Sequence, residues 1–156
     1  MLHAGKKKET VTPITCADAV QEKIVSGKLV AYALARVQQW YEYLGIPREK
    51  IRLRELEKDA RAFYAAETWD VEVETSQGWL ELCACNYRTD YDLKRHSEYS
   101  KKDLSVKEEG EKEAFIPHVF EVSMGLDRLF FSLLDLGLHM EKRGPEERAY
   151  LDLKPF

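Results

Sequence analysis

Glu121 and Ser123 lie two residues apart near the end of the run Phe115–Ser123, and Arg128 follows shortly after. Alternation along an extended chain puts Glu121 and Ser123 on one face. Met124-Gly125 interrupts that run, and the apolar stretch Leu126–Leu138 then reads as a helix with Arg128 in its first turn. A helix start offers unpaired N–H groups and positive potential, and a guanidinium there adds a planar donor fork for phosphate oxygens. The segment therefore supplies a carboxylate and a hydroxyl for a small polar ligand, with a phosphate-binding arginine beside them. A purely structural role fits the same residues. Arg128, Ser132 and Asp135 fall at i, i+4 and i+7, the spacing of one solvated helix face.

Glu81 is the second candidate. Alternation puts it on a strand face with Trp79, Cys83, Cys85 and Tyr87. A carboxylate among such neighbours is costly unless it lines a solvated cleft or is paired, for example with Arg52 or Arg54 of a neighbouring strand. Arg88-Thr89-Asp90-Tyr91-Asp92 is a polar strand-to-helix corner, and Thr89 with Asp92 has the spacing of a capping box. Trp69, Tyr64 and Trp79 read as core aromatics. Cys16, Cys83 and Cys85 have no disulfide-framework spacing, which fits a reducing cytosol. With the histidines scattered, Cys83-x-Cys85 reads as buried core rather than a zinc site, and no metal ligand set is expected.

These residues need elements to position them. Residues 1–14 are polar and read as a flexible arm; Thr15 can cap a helix over Cys16–Ser26, ended by Gly27. Leu34, Val37, Trp40, Tyr41 and Leu44 give Leu29–Leu44 a helical period, stopped by Gly45 and Pro47. Ile51–Leu56 alternates as a strand, and 57–66 is ambiguous, with a short helix as one reading. Trp69–Thr75 and Trp79–Tyr87 form a hairpin about Gln77-Gly78. A helix follows to about Tyr99, then a short strand Leu104–Val106, the strand Phe115–Ser123, the helix Leu126–Leu138, a charged loop Lys142–Glu147 and a last strand Arg148–Leu153. This order predicts an α+β fold, an antiparallel sheet flanked by helices.

The 156 residues suffice for one domain with a hydrophobic core. A net charge of −4 gives no global attraction for nucleic acid, so RNA contact would need a local basic patch or another domain. No apolar run is long enough to span a membrane, and no signal peptide is evident at the start.

The runs Glu67-Thr68-Trp69-Asp70-Val71-Glu72, Gly78-Trp79-Leu80-Glu81-Leu82 and Asn86-Tyr87-Arg88-Thr89-Asp90-Tyr91-Asp92-Leu93, with His96, resemble in order and spacing the archaeal and eukaryotic-type glycyl-tRNA synthetase family. Arg52-Leu53-Arg54 and Phe63-Tyr64-Ala65 are similar to the stretch that precedes them. Glu121 through Arg128 resembles motif 3 of class II synthetases in its glycine-specific form. The resemblance covers about residues 12–156.

The resemblance implies that Glu121, Ser123 and the backbone of Val122 hold glycine. It also implies that Glu81 and Leu82 line the ATP or adenylate pocket, that Arg128 contacts ATP phosphates, and that Arg88 belongs to the same pocket. Glu81 and Arg128 would act in catalysis, with ATP and Mg²⁺ as co-substrate, tRNA-Gly as acceptor and the cytoplasm as location. Val122 stands where the family usually has proline. Motif 1, motif 2 with its ATP-clamping arginine and further glycine-binding carboxylate, and the anticodon-binding domain have no counterpart. Residues 15–156 are therefore expected to be a partial class II catalytic domain, inactive alone. It would be a fragment or half of a split enzyme, joined as a homo-oligomer or with a partner chain that supplies the rest. The alternative is a free-standing non-catalytic paralogue that serves as a nucleotide-binding or regulatory module.

Overall fold

The computed structural model describes residues 11–110 and 112–154. Their helices and strands are α1 (Cys16–Gln21), α2 (Lys28–Tyr43), β1 (Ile51–Glu55), β2 (Glu67–Thr75), β3 (Gly78–Thr89), α3 (Tyr91–Ser100), β4 (Val119–Met124), α4 (Leu126–Gly137), β5 (Leu138–Arg143) and β6 (Glu146–Leu151). β1 to β4 pair in chain order as one antiparallel sheet, and β5 with β6 forms a separate hairpin. The expected α+β arrangement is present.

Sequence periodicity explains how the layers meet. On α2, Val30, Ala31, Leu34, Val37 and Tyr41 recur every three or four residues and are buried. They pack with Leu53, Trp69, Val71, Val73, Cys83 and Cys85 of the sheet, and Leu129 of α4 joins the same cluster. Cys83 and Cys85 are buried core residues, as expected, and Cys16 is exposed. The Thr15 hydroxyl accepts from the Asp18 N–H at 3.1 Å and caps α1. The first hairpin turns at Ser76-Gln77, one residue earlier than expected, and Gly78 takes the left-handed φ of 97° that closes it.

Several expectations are corrected. α1 ends at Gln21, because Lys23 adopts a left-handed φ of 57° and turns follow it. Residues 57–66 form turns rather than a helix. Arg61 satisfies the carbonyls of this loop by donating to Leu56 O at 2.7 Å and Ala66 O at 2.6 Å, while pairing with Glu55 at 2.7 Å. β4 begins at Val119. Phe115 instead makes a single bridge to Val106, which is all that replaces the strand expected at Leu104–Val106. β5 was hidden at the end of the α4 pattern; it and β6 turn about Gly144, whose φ is 64°. The flexible-arm expectation falls largely outside the described residues.

Tyr41 is fully buried, and its hydroxyl meets no oxygen or nitrogen partner, only the weakly hydrogen-bonding Cys83 thiol. Burial, then the neighbouring Cys83 and Cys85, push its ionisation to higher pH. An orphaned buried hydroxyl costs about 1–3 kcal/mol. Tyr41→Phe should therefore leave stability unchanged or raise it by up to that amount. Leu34→Ala, at a fully packed position, should lower it by about 2–5 kcal/mol. Urea unfolding of both variants checks the pair; a strongly destabilised Tyr41→Phe would show that the hydroxyl has a partner.

Candidate active site

β3 is hydrogen-bonded to β2 on one edge and β4 on the other, so its side chains alternate between two defined faces. The alternation breaks once. Val71 lies opposite Cys83 but Glu72 lies opposite Glu81, so Leu82 is the extra residue of a β-bulge. This overturns the expected neighbours of Glu81. It shares a face with Trp79, whereas Cys83, Cys85 and Tyr87 belong to the opposite, apolar face. The polar face carries Asp70, Glu72, Glu81 and Asn86, extended on β4 by Glu121, opposite Asn86, and Ser123, opposite Ala84.

Two of the ion-pair centres on the polar side hold candidate site residues. At the first, Arg88 donates through Nη1 to Glu121 at 2.8 Å. Its Nε and Nη2 grip both oxygens of Asp92 at 2.6 and 2.7 Å, and its guanidinium lies 3.9 Å over the Tyr64 ring. Asp92 first, then Glu121, holds Arg88 more firmly in its charged form, and Arg88 in turn lowers the Asp92 pKa. Asn86 faces Glu121 at 3.4 Å and accepts from the Thr68 hydroxyl at 2.9 Å. The expected capping box does not form. Asp92 is taken by Arg88, Thr89 has a φ of 53° and donates to the Arg88 carbonyl, and the N-cap of α3 is Asp90, whose carboxylate pairs with Lys94 instead of capping a backbone N–H.

At the second centre, Arg128 Nη1 donates to the Glu81 carbonyl at 2.9 Å and lies 3.5 Å from the Glu81 carboxylate. The Gly125 N–H bonds Leu82 O at 3.1 Å, so the bulge and the start of α4 fix one another. The Leu82 side chain is buried in the core, leaving only its backbone near this corner. Arg52 and Arg54, the partners considered for Glu81, both engage Glu72. Arg52 also stacks 4.1 Å over Trp79, which is partly exposed rather than core. Ser132 is buried and donates to Arg128 O, and Asp135 accepts from the Ser76 N–H and hydroxyl. That α4 face is packed at Ser132 and tied to the hairpin turn at Asp135, while Arg128 at its start stays half exposed.

Glu121 is half-buried and Ser123 is exposed on the polar face, with the Val122 backbone between them. Glu81 and Asn86 are five residues apart on β3, at most about 16 Å at 3.3 Å per residue, so the two centres share a face without touching. Among the residues that sequence reasoning passed over, Asn86 and Asp92 brace the first centre. Asp70 was legible as an acid alternating with Trp69 and Val71. A groove of about 810 Å³ between residues 11–15 and β1 shares only Arg52 with this face. Among the described residues no three His, Cys, Asp or Glu side chains are grouped to hold a metal, and no helix is long and apolar enough to cross a membrane.

No protein-family model matches the chain. Curated proteins do match it. Over 139 residues, 89% of this chain, it is 34% identical to the glycine–tRNA ligase of Archaeoglobus fulgidus and covers 23% of that protein. Over 137 residues it is 33% identical to the glycine–tRNA ligase of Pyrococcus horikoshii, covering 21% of it. The match to the Methanocaldococcus jannaschii glycine–tRNA ligase, 28% identical, runs over 227 positions and covers 39% of that protein. That span exceeds the 156 residues here, so this relative holds tens of residues inside the matched region that lack a counterpart. The α+β chain is thus homologous over most of its length to archaeal-type glycine–tRNA ligases. It spans only about a fifth to two-fifths of their length.

Asp70 gives this face a pH signature. Burial first, then Glu81 and Glu72, raises its pKa from 3.8 to about 6, against smaller opposing effects of Arg54 and Arg128. The folded state therefore holds this proton more tightly than the unfolded state. Below about pH 4 both states are protonated and nothing is lost. Between pH 4 and 6 the unfolded state ionises first, so stability falls as pH rises, by roughly 2–3 kcal/mol in total. Asp70→Asn should remove this slope and be the more stable protein at pH 7. Chemical denaturation across that range checks it; an unchanged slope would mean that Asp70 is already ionised at pH 5.

Proposed function

We propose that this chain forms the glycine-binding face and part of the ATP-binding site of a glycine–tRNA ligase, as a partial class II catalytic domain. The observation that carries the reading is Glu121 and Ser123 on one accessible face of β4, with Arg88 against Glu121 and Arg128 at the start of the next helix. In the reaction, a glycine carboxylate oxygen attacks the ATP α-phosphorus and pyrophosphate leaves. The terminal ribose hydroxyl of tRNA then attacks the glycyl carbonyl and AMP leaves. Glu121 would hold the glycine ammonium, with Ser123 and the Val122 backbone beside it. Arg88, displaced from Glu121, would remain close enough to face developing negative charge. Arg128 would contact phosphate, and Glu81 would hold its guanidinium in place. Mg²⁺ would enter with ATP as part of the substrate; Asp70 and Glu81 are oxygen donors of the right kind to add a contact.

Arg128 and Arg88 are the arginines this reading assigns to phosphate, and each is already engaged by a carboxylate. A complete clamp then needs groups from a second chain or further sequence. The same engagement favours, as a second reading, a non-catalytic module that retains the fold and binds nucleotide weakly. An exposed apolar surface supports the need for a complement. Val122, Met124, Leu126 and Phe130 are exposed on β4 and α4, and Leu138 and Met140 on β5.

Three measurements follow. Arg128→Ala should weaken ATP binding about tenfold or more, while changing stability by less than about 1 kcal/mol. Calorimetric titration decides, and tight binding indifferent to Arg128 would put the pocket elsewhere. Glycine-dependent pyrophosphate exchange should be negligible for the chain alone and appear with a complementing chain; robust exchange by the chain alone would show that no complement is needed. Sedimentation should show concentration-dependent association, and a monomer at all concentrations would argue against the exposed patch as an interface.

A further inference from the structure

α2 carries two stripes. One, from Val30 to Tyr41, is the buried stripe that packs on the sheet. On the opposite side Leu29, Tyr32, Trp40 and Tyr43 are 51%, 64%, 39% and 57% exposed. Arg36 and Gln39 complete this second stripe and are exposed as well. At 3.6 residues per turn all of them fall within an arc of about 100°, and the stripe runs from one end of the helix to the other. A helix that lies on one core needs a single apolar stripe, and its outer face is ordinarily polar. Here three aromatics and a leucine stand on the outer face. Lys154 Nζ lies 5.5 Å over the Tyr43 ring and Trp40 tilts against Tyr41 at 5.3 Å, yet Tyr43 and Trp40 stay accessible.

The stripe reads the same from either end. Leu29, Tyr32, Arg36, Trp40 and Tyr43 are spaced 3, 4, 4 and 3 residues apart, so the pattern is symmetric about Arg36. Two copies of α2 laid antiparallel across a two-fold axis at Arg36 set Leu29 against Tyr43 of the second copy, and Tyr32 against its Trp40. A partner of different sequence needs no such symmetry. Charge points the same way. Lys28 occupies the first turn of α2 and Gly27 gives no side-chain cap, so this cation opposes the positive end of its own helix. In the antiparallel pair it comes to the negative end of the other helix, whose last turn holds no basic residue. Arg36 stands at the axis, where like charges meet. Its Nη1 donates to Gln39 at 3.1 Å, which lays each guanidinium along its own helix, away from its symmetry mate and toward Tyr32 of the second copy. Arginine over an aromatic ring is a contact that this chain makes elsewhere, at 3.9 to 5.0 Å.

We propose that this face of α2 is a self-association surface, on which a second copy of the chain packs its own α2 antiparallel about Arg36. The area sets the strength of the pair. With about 150–250 Å² per fully buried aromatic, the exposed part of the stripe offers roughly 300–450 Å² a side, less than the roughly 600 Å² per partner of the smallest stable interfaces. The dimer is therefore weak and reversible. The proposal is independent of the ligase reading. It leaves the apolar surface of β4, α4 and β5 free for a complement.

The test uses the full chain carrying Cys16→Ser, which removes the exposed thiol and leaves the buried Cys83 and Cys85. Sedimentation equilibrium from micromolar to sub-millimolar concentration should show monomer–dimer exchange. Tyr32→Glu should weaken it about tenfold or more, because a two-fold contact loses the residue twice. Phe130→Asp, on the α4 surface, should leave it unchanged. Both positions are more than half exposed, and circular dichroism confirms that the variants fold. Cross-linking reads the symmetry. Facing Cα atoms of helices packed about 8–10 Å apart come within disulfide reach. Under copper–phenanthroline oxidation, Arg36→Cys should link to itself, whereas Leu29→Cys and Tyr43→Cys should link poorly alone and efficiently when mixed. A monomer throughout, a dimer that Tyr32→Glu leaves intact, an Arg36→Cys protein that does not cross-link, or Leu29→Cys linking to itself in preference to Tyr43→Cys overturns the proposal. A dimer lost in Phe130→Asp and kept in Tyr32→Glu assigns association to the α4 surface instead. ATP titration keeps the two proposals apart: an α2-dependent dimer without Arg128-dependent ATP binding counts against the ligase reading alone.

Discussion

β3 is flanked by partners on both edges, so none of its residues can turn without disturbing β2 or β4. The candidate site residues on β3, β4 and the start of α4 all take their positions from that strand. Its alternation sends Cys83 and Cys85 into the core and Asn86 to the polar side. The single extra residue at Leu82 moves Glu81 to the polar side as well. Without the bulge, Glu81 would point among cysteines and tryptophan in the core, where an unpaired carboxylate costs several kcal/mol. The Leu82 carbonyl accepts from the N–H of Gly125, the N-cap of α4, which continues the β3–β4 ladder past Cys83 and Met124 and so sets where the helix bearing Arg128 begins.

The two faces are held by different forces. The apolar side is a continuous cluster of α2, the sheet and Leu129, and area burial is what fixes it. The polar side is knit by charge pairs such as Arg52–Glu72, buried on both partners. Such pairs add little net stability, because desolvation offsets much of the attraction, but removing one partner is costly. The elevated pKa of Asp70 shows the same tension, a carboxylate kept on a crowded, dry face at the expense of stability.

Periodicity made the helices and strands readable, and with them the pairing of Glu121 with Ser123 on one face. α2 was visible because Leu34, Val37 and Tyr41 repeat at helical spacing, and the hairpin because Val71 and Val73 alternate up to the Ser76–Gly78 turn. What periodicity cannot show is where it breaks. A bulge at Leu82 has no signature in Glu81-Leu82-Cys83, since any residue can be the extra one, and the strand face of Glu81 was misread for that reason. Thr89 and Asp92 have capping-box spacing, yet a guanidinium four residues before Asp92 competes for the carboxylate more strongly than a backbone N–H does. β5 was masked because Leu138 closes an apolar helical run, and the alternation after it is short.

The polar face is internally neutralised in a particular way. Glu121 carries Arg88, Glu81 carries Arg128, and Glu72 carries Arg52 and Arg54. A cationic ligand group arriving at Glu121 does not meet a free carboxylate; it replaces a guanidinium. Arg88 need not travel far, because both Asp92 oxygens and the Tyr64 ring hold it after it leaves Glu121. Binding of an ammonium group at Glu121 would then release one donor edge of Arg88 toward whatever anion lies beside that ammonium. Glycine bears its own carboxylate two bonds away from its nitrogen. On the proposed reading, such an exchange would turn a resting ion pair into a site that meets both charged ends of an amino acid, Glu121 facing the ammonium and Arg88 the carboxylate.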